Sequence, residues 1–135
     1  MTANVPVNRR ELVVSTPGVV SGDWRINDTR VRMVQFCEWA RNHRWPYIRE
    51  QWPVLAHLTD AHMDLLATWP RPAFAVRKFS GCEIAVHDGD IDIQGEIITP
   101  EEVPLIVQAL QDAAQAIKQW QRDVEQWFSE GDADE

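Results

Sequence analysis

Val103, Ile106, Leu110, Ala113, Ile117, Trp120, Val124 and Trp127 follow one another at alternating steps of three and four residues. A strand cannot put such a series on one side, because its side chains alternate with period two. A helix can, so the chain from Val103 onward reads as a single helix of about 25 residues, roughly 37 Å long. The stripe either packs on its own chain or meets a second helix. A rod of that length exceeds what one small core would cover. This favours self-association as a homodimer through Ile106, Leu110, Ile117, Trp120, Val124 and Trp127.

The residues just before the stripe are equally restrictive. In "CEIAVHDGDIDI", Asp88-Gly89 is a two-residue turn signal. Centring a hairpin there pairs Val86 with Ile91, Ile84 with Ile93 and Cys82 with Gly95. The aliphatic side chains then share one face, opposite His87, Asp90 and Asp92. "TPEE" is predicted to open the helix, with Thr99 as cap, Pro100 first and Glu102 completing a capping box. Pro104 lacks a backbone donor and pulls the regular start toward Val103.

Earlier, "ELVVSTPGVVSGDWRI" reads as one or two short strands broken by turns. Helices follow at 30–42, at the Pro46-led "PYIREQW", and at "LTDAHMDLLATW". Thr59 caps the last of these, Asp60 sits at its positive end, and Leu58, Met63, Leu66 and Ala67 form its apolar side. "TWPRPAF" then punctuates the chain at 68–74. The expected fold class is α+β: an amino-terminal trihelical unit with short strands (1–72), a hairpin plus long heptad-patterned helix (73–128), and a disordered acidic tail (129–135).

Charge is split along the chain. Residues 1–80 carry eleven Arg/Lys against seven acids, net +4, whereas residues 81–135 carry two against fourteen, net −12. Six arginines and four of the seven tryptophans fall between Trp24 and Trp52. A basic, aromatic-rich half followed by an acidic half suggests a nucleic-acid-facing part and a separate acidic part. Solvated arginines on an aromatic-rich domain, with Trp39, Trp52 and Trp69 in its core, give the same pattern.

Other functional classes lack their signals. No phosphate loop, nucleophile elbow or zincin spacing occurs. His57 and His62, five apart, do not share a helix face, and "DGDID" lacks the later ligands of a calcium loop. An enzyme, a metal site and a cofactor are therefore not expected. No apolar run is long enough for a membrane span and the start has no signal-peptide core, so a cytoplasmic protein is expected. Cys37 and Cys82 read as buried apolar residues rather than a disulfide scaffold.

Residues 14–69 also carry a resemblance. Thr16-Pro17-Gly18 with Gly22, then Asp28-Thr29-Arg30-Val31, Trp45-Pro46-Tyr47-Ile48-Arg49-Glu50, Trp52-Pro53-Val54-Leu55 and a helix from Thr59 to Trp69 follow one another in order. This order is similar to that of the small bacterial helix-turn-helix domain of unknown function found in VapB-type antitoxins. Asp28 stands where that family has Gly before Thr-Arg, and His43 or Arg44 stands where its second helix opens on Gly. The resemblance implies a winged helix-turn-helix that binds double-stranded DNA as a dimer and regulates transcription, antitoxin-like or phage-encoded.

On that reading Thr59, Ala61 and His62 meet base edges, with His57 just ahead. Arg44 and Arg49 lie on the phosphates, and Arg25, Arg30 and Arg32 form a basic wing. Asp60 and Asp64 on the same helix oppose it. The alternative is a non-enzymatic interaction module without DNA binding, whose acidic half or Trp-rich patch engages a toxin or host protein.

Overall fold

The computed structural model describes residues 8–18 and 23–133. They form an α+β architecture in two compact units. One comprises Met1–Trp69 together with Gln126–Glu135, the other Pro70–Glu125.

The first unit begins with a single turn, α1 (Arg9–Leu12), capped by the Asn8 side chain, which accepts from the Arg10 amide. A two-residue ribbon follows, in which β1 (Val13–Val14) pairs antiparallel with β2 (Arg25–Ile26). Part of the connection between them, residues 19–22, lies outside the described residues, and with it Gly22 of the family pattern. The chain then turns at Asp28, whose φ of 62° lies in the left-handed region. Asp is one of the few residues other than Gly that tolerate that conformation. Thr29 closes the turn by donating its hydroxyl to the Ile26 carbonyl at 2.7 Å.

Because residues 29–32 are spent on this turn and on a bridge from Arg32 to Arg25, the first long helix starts later than expected. Helix α2 covers Met33–Asn42. Helix α3 (Trp45–Gln51) carries Pro46 in its first turn, a short 3₁₀ turn spans Pro53–Leu55, and α4 covers Asp60–Leu66. Apolar residues at helical spacing seal the interior: Met33, Phe36, Ile48, Leu55, Met63 and Leu66 are fully buried. Ala67, expected on the apolar side of α4, is exposed.

A second hydrophobic centre is aromatic. Trp69 lies 5.7 Å from Trp24, 5.2 Å from Trp127 and 5.9 Å from Phe128, in tilted or edge-on geometries. Such arrangements place the positive edge of one ring on the negative face of another. Arg9 stacks its guanidinium on Trp127 and donates to the Trp127 carbonyl at 2.7 Å, and Arg10 covers Phe128.

The second unit is a three-stranded antiparallel sheet in the order β3 (Arg77–Lys78), β4 (Glu83–His87), β5 (Asp90–Gln94), with a helix on one face. The β4–β5 register pairs Val86 with Ile91 and Ile84 with Ile93, as the turn position predicts. The left-handed backbone in this turn belongs to Asp88, at φ 50°. Ile84 and Cys82 pack on Ile106 and Ala109, flanked by Phe74, Phe79 and Leu110.

A 3₁₀ turn at Pro100–Glu102 leads into α5 (Val103–Ala133), so regular helix starts before Pro104, where a missing amide costs nothing. The expected capping box does not form. Thr99 gives its hydroxyl to the Glu102 carboxylate at 2.8 Å, and that carboxylate also accepts from the Ser80 amide at 3.0 Å and from the Ser80 hydroxyl. The two Ser80 bonds, then that from Thr99, hold the Glu102 carboxyl below its ordinary pKa. A depressed folded-state pKa contributes stability above the ordinary glutamate value, and the contribution is lost as pH falls through the folded one. Glu102→Gln should therefore flatten the acid limb of a Tm-versus-pH profile, a change that thermal melts across that limb would detect.

Two expectations about α5 need correction. Residues 129–133, read as a disordered tail, continue the helix. The heptad stripe, read as a dimer seam, is largely covered by the chain itself. Ile106, Ala113, Trp120, Val124 and Trp127 are buried, while Leu110 and Ile117 are half-buried. Helix α5 supplies residues to both units, and its length is used there.

Candidate functional site

The residues expected on DNA fall into three physical situations. Arg25 is held in place, donating to the Thr29 carbonyl at 3.2 Å and to the Thr16 hydroxyl at 3.0 Å. Arg32 lies 3.6 Å from Asp23. Arg49 pairs with Asp60 at 2.6 Å and donates to the Leu58 carbonyl at 2.9 Å. Each of these cations already has a partner within the fold. Arg30 and Arg44 form the second group. They are exposed, as is Arg41, and none of the three has an ion-pairing carboxylate among the described residues.

The third group is structural. Thr59 caps α4 by accepting from the His62 amide at 3.1 Å, and His62 Nδ1 accepts from the Thr59 amide at 3.3 Å. This reciprocal pair satisfies two amides at the helix start. His57 and Ala61 are exposed. The two acids on α4 are engaged within the fold, Asp60 by Arg49 and Asp64 by the Trp45 indole at 2.7 Å. They tie α3 to α4.

This geometry separates two arginines that look equivalent in sequence. Arg49→Ala should cost about 1–2 kcal/mol, since it breaks a charge-assisted bond to a carbonyl and a half-exposed ion pair. Arg44→Ala should stay within about 0.5 kcal/mol of the parent. Urea denaturation of both variants reads the difference directly.

A second feature of the first unit is a stacked aromatic surface. Trp39 lies 4.9 Å from Trp52 and stacks on Tyr47 at 5.9 Å, with His43 4.6 Å from Tyr47. The two tryptophans are only half-buried, so the expectation of core packing holds for Trp69 rather than for them.

The second unit presents a different surface, which the sequence analysis missed. Among the described residues of the first unit the exposed large apolar side chains are Tyr47 and Val54. In the second they are Val76, Ile91, Ile93, Ile97, Ile98, Val103, Leu105 and Val107. Ile97 is 68% and Leu105 61% accessible, although both are strongly apolar. A signal was present in "EIITPEEVPLIV", whose aliphatic residues outnumber the positions of one heptad seam. Ile91 also lines a shallow cleft with Ala114, Ile117, Lys118 and Gln121, bounded by Gly89 and Asp90 at the hairpin turn. Residues 70–125 as a whole carry ten Asp/Glu against five Lys/Arg.

Among the described residues no group of three His, Cys, Asp or Glu side chains is placed to hold a metal ion. No helix among them is long and apolar enough to cross a membrane. No family model, no curated protein and no solved structure matches this chain.

Proposed function

We propose that this chain is a non-enzymatic interaction module that engages a partner protein through its second unit. The supporting observation is the concentration of exposed aliphatic side chains on β5, the 95–99 connection and the first turns of α5. Exposed aliphatic side chains are costly in water, and in soluble proteins a concentration of them marks contact sites.

The test uses proximity labelling in the native host with the parent and a Leu105→Asp, Val107→Asp double variant. Both positions are exposed, so the variant should melt at the parent temperature. Neighbours labelled by the parent and lost with the variant are expected. An unchanged set of neighbours would overturn the reading.

One observation favours a second reading, a dimeric winged helix-turn-helix regulator. The exposed, unpaired Arg30, Arg41 and Arg44 lie on a helical unit whose α4 would be the DNA-facing helix. Duplex binding measured by anisotropy at two salt concentrations decides it. Phosphate contacts predict affinity falling steeply with salt, and a further loss in an Arg30→Ala, Arg44→Ala variant. Absent or salt-independent binding retires it.

A further inference from the structure

The sheet of the second unit stops at β5, and nothing among the described residues pairs with its outer edge. In a two-residue hairpin the pair flanking the turn, here His87 and Asp90, exchanges both backbone bonds, and bonded and non-bonded pairs then alternate. Asp90, Asp92 and Gln94 thus direct their backbone groups toward β4. Ile91 and Ile93 direct theirs outward.

The same two residues carry exposed side chains, 38% and 51% accessible, on the face where Ile84 is fully buried against α5. Ala114 and Ile117 of the helix line the same cleft as Ile91. Val103, Val107, Leu110, Ala114 and Ile117 recur at steps of four and three, a stripe beside the buried one. Val103 and Val107 are exposed and the other three half-buried. The two-layer unit therefore offers an unpaired backbone edge and, beside it, uncovered apolar helix surface. The opposite face of β5 carries Asp90 and Asp92, with His87 3.6 Å from Asp92.

We infer that β5 is a docking strand for an extended partner segment in which apolar residues alternate with Lys or Arg. The segment pairs its backbone with Ile91 and Ile93, lays its apolar side chains on the Val107–Ala114 part of the stripe, and sets its cations beside Asp90 and Asp92. Backbone pairing supplies affinity in such strand addition, and the alternating side chains supply specificity. This deepens the interaction-module reading and rests on it.

Charge decides against a second copy as the occupant. A two-fold antiparallel β5 pair using the outward groups of Ile91 and Ile93 has three registers. They set Asp92 against Asp92, Asp90 against Asp92, or Asp90 against Glu96. Like charges directly opposite across strands are destabilising. A basic partner strand turns the same carboxylates into attractions, while Lys118, which lines the cleft with Gly89 and Asp90, disfavours a further cation beside it.

The test uses the full chain, isotope-labelled, with a synthetic peptide of alternating Val and Lys as probe and a Val/Glu peptide as control. The Val/Lys peptide should bind saturably, more weakly as salt rises, and protect the Ile91 and Ile93 amides from hydrogen exchange. Ile93→Pro removes an outward donor at an edge position, where proline is tolerated, and should weaken binding at least ~10-fold while thermal stability holds. Asp90→Lys with Asp92→Lys should reverse the peptide preference. Unprotected Ile91 and Ile93 amides, equal binding of both peptides, or protection that appears without peptide as the chain dimerises would each overturn the inference. Loss of labelled neighbours in the Leu105→Asp, Val107→Asp variant alongside unprotected β5 amides would sink strand addition and leave the interaction module standing.

Discussion

Trp69→Ala is expected to destabilise the first unit by about 3–5 kcal/mol. The indole is 3% accessible and touches three other large rings, those of Trp24, Trp127 and Phe128. Truncation leaves a cavity that no small side chain nearby can fill, because its walls are rigid aromatics held by one another. Trp127 is further fixed by its indole N–H, which donates to the Thr68 hydroxyl at 2.9 Å. Trp69→Phe should cost much less. It keeps a ring in place and removes a buried indole N–H that has no hydrogen-bond partner, a group whose burial itself costs about 1–3 kcal/mol. Guanidinium denaturation followed by near-ultraviolet circular dichroism checks the series. A loss below about 1 kcal/mol for the alanine variant would show that the cluster is not a core.

Gly95→Ala is the counterpart in the second unit, with an expected cost of at least about 3 kcal/mol. Gly95 has φ 98°, a conformation that L side chains rarely adopt. A β-carbon there would also come within 2.4 Å of the Gly81 carbonyl oxygen and 2.9 Å of the Cys82 Cα, both backbone atoms without rotamers to escape through. The strands would have to part where β5 ends, so the Asp92 and Gln94 amides, which bond to β4, should lose exchange protection together with stability. Gly89→Ala is the control. Its new carbon would meet only the Trp120 ring, at an ordinary 3.7 Å, and a cost within about 1 kcal/mol is expected. Thermal melts of both variants, with hydrogen exchange on β5, decide the matter. Equal tolerance at both glycines would refute the close-approach argument.

Legibility varied with how local each cause is. The β4–β5 register followed from Asp88-Gly89 and four aliphatic residues, because turn position and side-chain alternation act over a dozen residues. Thr59 as cap and Pro46 in the first turn of α3 were readable for the same reason. Strand β3 was not, since Arg77 and Lys78 are exposed and carry no alternation. It forms because β4 offers an edge: Arg77 pairs with Ile84 and Lys78 with Glu83. The difference between Arg44 and Arg49 was also hidden. Asp60 lies eleven residues from Arg49, and only the placement of α3 beside α4 brings the charges to 2.6 Å.

The exposed aliphatic surface shows the limit most clearly. Apolar pattern identifies the residues able to leave water, but there are more of them on β5 and early α5 than the unit has neighbours to cover.

By itself the sequence determined the helix periods, the hairpin and its register, the caps and the two-part charge distribution, all set by forces between residues close along the chain. Tertiary structure decided which arginines are spent on internal partners, that most of the heptad stripe is covered within the fold, and that an apolar strand edge stays open among the described residues. Those outcomes depend on which distant surfaces meet, and burial and pairing are properties of the meeting rather than of either segment.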